Sequence, residues 1–232
     1  MPTSTNKANI KHRVKPTNSK KPNPKQAPTV RGSNDVRRAL TRNKVLEAGI
    51  KVLGELGYHA ASTSLIAKRA GVSRGALLHQ FPTHNDLMFG IVEHIIMKNH
   101  ERNLRQLAKL SPGIDQYKAL TEAFWETSQH PDTIALIEIH MASRANAELA
   151  EVLGWKIEAL IRSELERTWH IAQEAGINDR RQVDALSTLT IAGIWGLSIM
   201  RLKLWRKAEI EDAYELLKTN RDNFITAHTA KS

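Results

Sequence analysis

Residues 70 to 81, AGVSRGALLHQF, place three hydrogen-bonding side chains close together: Arg74, His79 and Gln80. They lie around Gly75, which has no side chain. A catalytic site needs polar groups that converge in a cleft, whereas helical spacing puts these residues on a small, nearly bare surface. Such a surface lets a helix approach the base edges of a DNA groove closely. The alternative is an ordinary helical hairpin whose outer face is solvated.

The residues around this stretch predict two short helices joined by a tight turn. The first opens near Ser62 or Thr63, either of which can cap it, and ends at Gly71, a residue that suits the left-handed backbone after a helix. Ser73 can cap the second helix, in which Leu77 and Phe81 face inward as an i,i+4 pair. Two helices within about twenty residues, joined by a turn that contains glycine, indicate a helix-turn-helix.

The rest of the chain is also helical in pattern, without sustained two-residue alternation, so an all-α fold is predicted. A first helix over 36–56 carries an apolar stripe from Val45 to Leu56, and Thr83 with Asp86 forms a capping box for a long helix that runs to about 109. Further helices are predicted at 115–129, 132–145, 147–175, 180–206 and 209–226.

The positive charge is concentrated near the N-terminus. The chain has 232 residues and a formal net charge of +10. Residues 1–34 contain eight basic and no acidic residues, residues 35–99 nine and five, and the remainder seventeen and nineteen. An anionic partner is therefore expected to bind the first hundred residues. We predict a disordered basic tail (1–34), a helix-turn-helix DNA-binding domain (35–88) and a helical ligand-binding and dimerisation domain (89–232).

The tail is rich in lysine, proline, asparagine and hydroxyl residues, which bury too little apolar surface to offset the entropy of ordering. Three roles remain open: an arm on DNA phosphates, a solubility tail or an anchor on a membrane surface. The shortage of large apolar residues that insert into lipid favours the first two equally.

Several classes of protein lack support in the sequence. There is no cysteine, and the ten histidines show no His-Glu-x-x-His or other tight ligand spacing, so no metal site is predicted. No Gly-x-Ser-x-Gly elbow or glycine-rich phosphate loop occurs, so neither an enzyme nor a cofactor is expected. The longest apolar run, 185–200, is short and rich in serine and threonine, and no signal segment is visible. A cytoplasmic protein without membrane contact is expected.

One segment resembles a known family. Residues 44–88, KVLEAGIKVLGELGYHAASTSLIAKRAGVSRGALLHQFPTHNDLM, closely resemble the N-terminal domain of the tetracycline-repressor (TetR-like) family of bacterial transcriptional regulators, in register and without a gap. The resemblance implies a homodimer that binds a palindromic operator in double-stranded DNA and is released by a small-molecule effector. The remaining chain fits the ligand-binding and dimerisation domain of the family by length and helicity.

The resemblance also assigns individual residues to DNA contact. Base-contacting positions of the family correspond to Ser64, Arg74, Gly75, Ala76, His79 and Gln80, and phosphate-facing positions to Thr63, Ser73, Leu78 and His84. Two of these depart from the family pattern, since Leu78 stands where tyrosine is usual and His84 where lysine is usual. The first loses a hydroxyl for phosphate, and the second weakens a cationic contact at neutral pH.

Aromatic and polar residues in the apolar helices of the second half suggest a ligand pocket. Side chains with an apolar body and a polar tip suit such a site between helices, although each also fits a plain core. The candidates are Trp125, Glu138, His140, Met141, Trp155 and Trp195.

The last two helices suggest a dimer interface. Residues 185–200 are apolar nearly all round, and Gly193 and Gly196 allow close approach of a neighbouring helix. These helices either form a four-helix interface between two chains or complete the core of one chain. Together the features predict a ligand-responsive DNA-binding regulator, expected to be a repressor. A ligand-independent DNA-binding or nucleoid-type protein is the alternative.

Overall fold

The computed structural model describes residues 31–202 and 206–229, and all the regular elements in these ranges are helical. The predicted all-α fold is therefore confirmed. A single 3₁₀ turn, Tyr58–Ala60, separates the first two α-helices. In chain order the helices are α1 (Arg31–Leu56), α2 (Thr63–Ala70), α3 (Arg74–Gln80), α4 (His84–Leu107), α5 (Ile114–Ser128), α6 (Pro131–Ser143), α7 (Ala147–Glu174), α8 (Arg180–Met200) and α9 (Lys207–Thr229).

The ends of two helices differ from the sequence-based expectation. Helix α1 begins at Arg31, before the predicted residue 36, so the last residues of the predicted tail are helical. No proline lies between Pro28 and Leu56 to interrupt the helix, and extension of an existing helix adds one hydrogen bond per residue. The rest of the predicted tail, residues 1–30, lies outside the described residues. Helix α8 ends at Met200, before the predicted residue 206.

The chain divides into two compact units, residues 1–37 and 38–232. Of the first unit, the structure describes residues 31–37, which are helical. The second unit contains the remainder of α1 and helices α2 to α9, and it holds the residues discussed below.

Short-range signals in the sequence set the turns around α2 and α3. The Ser62 hydroxyl accepts a hydrogen bond from the Leu65 amide at 3.3 Å, and the Ser73 hydroxyl accepts one from the Ala76 amide at 3.1 Å. Between the two helices Gly71 adopts the left-handed conformation, with φ at +66°. These caps and this glycine confirm the predicted helix-turn-helix. The capping box of Thr83 and Asp86 at the start of α4 is confirmed as well.

The helix-turn-helix rests on an apolar core that we call the N-terminal core. Its members come from α1 to α4, with further residues from α6 and α7, and Leu77 and Phe81 are buried in it as predicted. The predicted stripe on α1 is wrong at its end, because Leu56 is 50% exposed. Leu56 is the last residue of α1, and the chain turns away at Gly57, where φ is +78°.

The second half of the chain is packed differently. Most of its buried apolar residues outside the N-terminal core form two smaller clusters, one around Ile171 and Ile177 and one around Ile210 and Tyr214. Polar residues are buried among them. In the described ranges every buried polar or charged residue lies at position 103 or later: Asn103, Thr121, Thr127, Ser128, Asp132, Thr133, Thr168, Thr190, Ser198 and Arg221.

Helix α8 is the most apolar long helix in the described part of the chain. Its length and composition alone would allow it to cross a membrane, contrary to the expectation from residues 185–200, but core helices of soluble proteins meet the same criterion. Only 22% of its most apolar window is buried within the chain. Leu189 and Ile199, for example, are 55% and 41% exposed. Much of the apolar surface of α8 therefore has no cover inside one chain.

Candidate DNA-contacting surface and ligand cavity

The outer face of α3 carries two polar side chains that have no bonding partner in the described part of the chain. Arg74 and His79 are exposed, and neither forms a hydrogen bond or ion pair with any residue in the described ranges. Ser73 is exposed too, but its hydroxyl caps the helix. Because Arg74 lies in the first turn, its guanidinium can extend beyond the helix end and donate two hydrogen bonds to the edge of one guanine.

The centre of this face is open. A Cβ atom added at Gly75 would have the Ser73 hydroxyl, at 4.0 Å, as its only near neighbour among the described residues. The packing of the protein therefore does not require glycine at this position. Ala76 beside it is half-buried and adds only a methyl group. The pair leaves room for an external surface to approach the backbone of α3.

Helix α2 packs against α3, and its first turn supplies two more of the predicted residues. Ser64 is exposed and Thr63 is half-buried. The Ser62 hydroxyl already satisfies the Leu65 amide, so the side chains of Thr63 and Ser64 are not needed as the cap. Their hydroxyl groups are available to an outside acceptor such as a phosphate oxygen.

Three predicted DNA-contacting residues have roles inside the chain. Leu78 is half-buried against the N-terminal core. The Gln80 amide donates a hydrogen bond to the Arg38 carbonyl at 3.0 Å, and a ring nitrogen of His84 lies 2.9 Å from the Ala61 carbonyl. Each of these contacts is made within the chain. DNA contact by these three residues stays a prediction.

A cavity of about 160 Å³ lies among helices α4 to α8. Phe124, Leu136, Ile191 and Ile194 form much of its apolar wall. Hydroxyl and amide groups interrupt this wall: Asn99, Asn103, Thr127, Ser128, Thr133, Thr168 and Ser187 also line the cavity. A mainly apolar space with a few polar groups is typical of a site for a small organic molecule.

One side of the cavity contains an ionic group. His100 and Glu164 line the cavity, and the His100 Nδ1 atom lies 3.1 Å from Glu164 Oε1 and 2.8 Å from Arg167 Nη1. Arg167 also donates to Glu164. Burial lowers the pKa of Arg167, since it penalises the charged guanidinium. The carboxylate and the guanidinium neutralise each other, so this side of the cavity offers hydrogen bonds without a net charge.

Of the six predicted ligand-binding residues, Trp195 lines the cavity. His140 lies outside the cavity lining, with its ring edge toward Trp195 at 6.2 Å between centroids. Trp125 stacks on Tyr214 at 4.2 Å, in the cluster around Ile210. The sequence placed these aromatic residues on apolar helices but could not say which of them face the cavity.

The other three candidates lie elsewhere. Met141 and Trp155 are 53% and 61% exposed and do not line the cavity. The Glu138 carboxylate accepts a hydrogen bond from the Tyr58 amide at 2.9 Å, which ties α6 to the turn that follows α1. Glu138 therefore belongs to the junction between the cavity helices and the helix-turn-helix.

Sequence reasoning missed the polar residues that line the cavity. Asn103, Thr127 and Thr168 are buried there, and the Thr127 hydroxyl donates to the Asn103 side chain at 3.3 Å. Their signal was a polar residue on the apolar face of a helix. That signal is weak, because threonine and serine also occur at such positions by bonding to their own helix backbone.

Metal binding has no support in residues 31–202 and 206–229. No group of three or more histidine, cysteine, aspartate or glutamate side chains there is arranged to hold a metal ion.

Comparison with known proteins identifies the helix-turn-helix segment. Residues 45–91 match the family of bacterial regulatory proteins described as the tetR family. A helix-turn-helix-type transcriptional regulator of Mycobacterium bovis is 31% identical over 117 residues, which are 50% of this chain and 60% of that protein. The match thus spans less than two thirds of the mycobacterial relative. The regulator CymR of Pseudomonas putida is 27% identical over 168 residues, 72% of this chain and 81% of CymR.

The fold extends this similarity to the cavity helices. A crystal structure of a transcriptional regulator from Saccharomonospora viridis in complex with choline superposes with a TM-score of 0.62. The superposition covers 81% of this chain and 96% of the other, at 18% identity. At that identity the comparison shows a common fold. The common fold consists of an N-terminal helix-turn-helix followed by a helical domain.

Proposed function

We propose that this chain, a member of the TetR family of bacterial transcriptional regulators, is a cytoplasmic repressor that binds a palindromic operator as a homodimer and leaves it when a small molecule enters the cavity. In this proposal α3 of each subunit enters the major groove, and Arg74 and His79 contact bases. Ser64, Thr63 and Ser73 lie toward the same duplex. The helical domain binds the effector and the second subunit.

The outer face of α3 carries this proposal. Two of its polar side chains, Arg74 and His79, have no partner among the described residues, and its centre is open at Gly75. The same helix is held rigidly from behind, because Leu77 is fully buried. A rigid helix with unused hydrogen-bonding groups on its far side suits recognition of a surface.

The exposed side of α8 supports the dimer. Ala192 and Gly196, four residues apart, are exposed, and a Cβ atom at Gly196 would meet nothing within 4 Å among the described residues. By contrast, a Cβ atom at Gly193 would lie 3.3 Å from Leu217 on α9 of the same chain. Gly193 thus serves the contact between α8 and α9, and Gly196 is the residue available to a partner subunit.

The two glycines provide a matched test of the interface. Gly196→Leu puts a large side chain where we expect the partner, so it should shift the protein toward monomer in sedimentation at micromolar concentration. Gly193→Ala should instead change the melting temperature and leave the oligomeric state unchanged. A wild-type monomer under these conditions would contradict the proposed dimer.

A route between the cavity and the DNA-contacting helices supports the ligand response. Helix α6 lines the cavity with Thr133 and Leu136, and Glu138 on the same helix binds the Tyr58 amide. The Tyr58 ring meets His84 edge-on at 5.5 Å, at the start of α4. A shift of α6 on ligand binding would therefore reach the segments on both sides of α2 and α3.

Residues 1–30 are proposed to bind phosphates without selecting sequence. They contain seven lysine or arginine residues and no acidic residue. Deletion should weaken binding to all DNA alike and flatten the slope of log affinity against log salt concentration. A changed binding motif after the deletion would mean that the segment reads a groove.

Selection of genomic DNA fragments by the purified protein tests the proposed function. We expect enrichment of fragments that share an inverted repeat, whose half-sites are separated by about one helical turn or a multiple of it. The genes beside these sites then supply candidates for the regulated pathway. Enrichment without a shared motif would instead indicate a ligand-independent, nucleoid-type protein, and absence of enrichment would contradict DNA recognition.

A further inference from the structure

A buried arginine on α9 lines a small cavity beside the larger cavity among helices α4 to α8. Arg221 is 5% exposed, and its Nη1 atom donates to the Lys118 carbonyl at 2.7 Å and to the Glu122 carboxylate at 2.8 Å. Its Nε atom donates to Asp222 at 3.0 Å. Burial by itself lowers the pKa of Arg221, but the hydrogen bonds that the guanidinium donates to the two carboxylates, and their negative charges, outweigh burial and raise the pKa. The guanidinium is therefore charged and firmly held.

One side of this guanidinium is unused. The Nη2 atom makes no hydrogen bond with the described residues, although Arg221 is almost entirely buried. Arg221 lines a small cavity of about 30 Å³, into which this free side can point.

The small cavity adjoins the larger one. Phe124, Thr168 and Ser187 line both of them, so these three side chains form the boundary between the two spaces. Tyr117 lies on the far side with Arg221, and burial raises its pKa to about 12, which keeps its hydroxyl protonated at neutral pH. The larger cavity thus has a mainly apolar wall, and the small cavity beside it has hydrogen-bond donors in its lining.

The charge around Arg221 is already balanced. Glu122 and Asp222 supply two negative charges, while Arg221 and Lys118, the latter 3.7 Å from Asp222, supply two positive charges. A carboxylate on the ligand would add a third negative charge beside Glu122. A cationic ligand would face the guanidinium directly. An uncharged acceptor satisfies Nη2 without either repulsion.

We infer that the effector is an uncharged, mainly apolar molecule whose carbonyl oxygen accepts a hydrogen bond from Arg221 Nη2, with its apolar body against Phe124, Leu136 and Ile194. This inference rests on the proposed ligand response and names the ligand class for the same site. A ketone, ester or lactone has the required chemistry. The guanidinium selects the carbonyl, and the neutral surroundings disfavour charged analogues.

Calorimetric titration with four matched probes tests the ligand class on the full-length protein. The probes are cyclohexyl methyl ketone, its hydrocarbon analogue 2-cyclohexylpropene, cyclohexanecarboxylate and 1-cyclohexylethylammonium. The ketone should bind about tenfold more tightly than the hydrocarbon, as expected for one hydrogen bond to a charged donor. Both ions should bind more weakly than the ketone. Equal binding of ketone and hydrocarbon, preference for either ion, or no ketone binding below about 10 mM would overturn the inference.

Two variants connect the preference to Arg221. Arg221→Lys removes Nη2 and should reduce ketone affinity to that of the hydrocarbon, whereas Arg206→Lys, at the exposed residue just before α9, should change nothing. Leu186→Phe fills the small cavity with Arg221 intact and should also abolish the ketone preference. Circular dichroism establishes that each variant is folded. Unchanged ketone preference in folded Leu186→Phe would contradict the proposed position of the carbonyl.

These titrations contain no DNA, so they separate the two proposals. If the ketone preference holds but the protein selects no DNA, the ligand inference survives and the repressor proposal fails. If DNA is selected but the ketone shows no preference, the repressor proposal survives and the ligand inference fails.

Discussion

The N-terminal core and the cavity region of the same chain are built on opposite principles. Behind α3 the core is apolar throughout, with Val45, Leu53, Ile66 and Leu77 at 0% exposure. Around α5, α7 and α8 the interior contains buried hydroxyl, amide and charged groups and a cavity of about 160 Å³. The first region holds one helix in a fixed position. The second is packed less closely, and its cavity has polar groups that can contact a ligand.

This difference separates stability from response. A densely packed apolar region resists change, because each methylene group that is lost or added costs free energy. A region with cavities and buried polar groups is less stable, but a ligand that fills the space can stabilise it. On this view the helix-turn-helix provides rigidity, and the cavity region provides the change of state that a regulator needs.

The largest effect is expected from truncation of Leu77 in the N-terminal core. Leu77→Ala removes a fully buried side chain behind α3 and should lower the free energy of unfolding by about 2–5 kcal/mol, measured by urea denaturation. The control is Leu56→Ala at the exposed end of α1, for which we expect a loss within about 0.5 kcal/mol. Similar losses for both variants would mean that the core is not the rigid support of α3.

A smaller loss is expected where the N-terminal core has no room for one more carbon atom. A Cβ atom at Gly90 on α4 would lie 2.6 Å from the Phe81 ring, so Gly90→Ala should lower the unfolding free energy by about 1–3 kcal/mol. Gly154→Ala on α7, where a Cβ atom meets nothing within 4 Å in the described residues, should raise it by up to about 1 kcal/mol. If both variants raised the unfolding free energy equally, the N-terminal core would not be more tightly packed at Gly90 than α7 is at Gly154.

The smallest effect on stability is expected in the cavity region. Thr168 is buried at the junction of the two cavities, and its hydroxyl has no partner among the described residues. Thr168→Val keeps the shape and removes the hydroxyl, so the melting temperature should stay constant or rise slightly, since no hydrogen bond with a described residue is lost. Thr226→Val on the exposed face of α9 is the control. A large loss of stability for Thr168→Val would mean that the hydroxyl supports the fold.

The sequence predicted the N-terminal region well because the determining signals there are local. Ser62, Ser73 and the Thr83–Asp86 pair cap helices within three residues of themselves, and Gly71 ends α2 by its own conformational freedom. Such signals act over one helical turn, so they can be read without knowing the tertiary structure. The prediction was wrong at Leu56, where the direction of the chain after the helix decides exposure.

The cavity could not be predicted in the same way. Whether Trp195 or Trp155 faces the interior depends on how five helices pack, and the apolar pattern of each helix is compatible with several rotations. Arg221 looks like a surface residue in the sequence of α9, between Asn220 and Asp222. Its burial results from contacts with Lys118 and Glu122, about one hundred residues away in the chain.

The central claim, that the open face of α3 reads DNA, is tested most directly by the affinity of Arg74→Ala for the selected operator and for scrambled DNA. Arg74 is exposed and has no partner among the described residues, so its loss should leave the melting temperature nearly unchanged. We expect a loss of about 1–3 kcal/mol in operator binding and relaxed preference at one base position in each half-site. Operator binding as tight and selective as that of the wild-type protein would contradict the account.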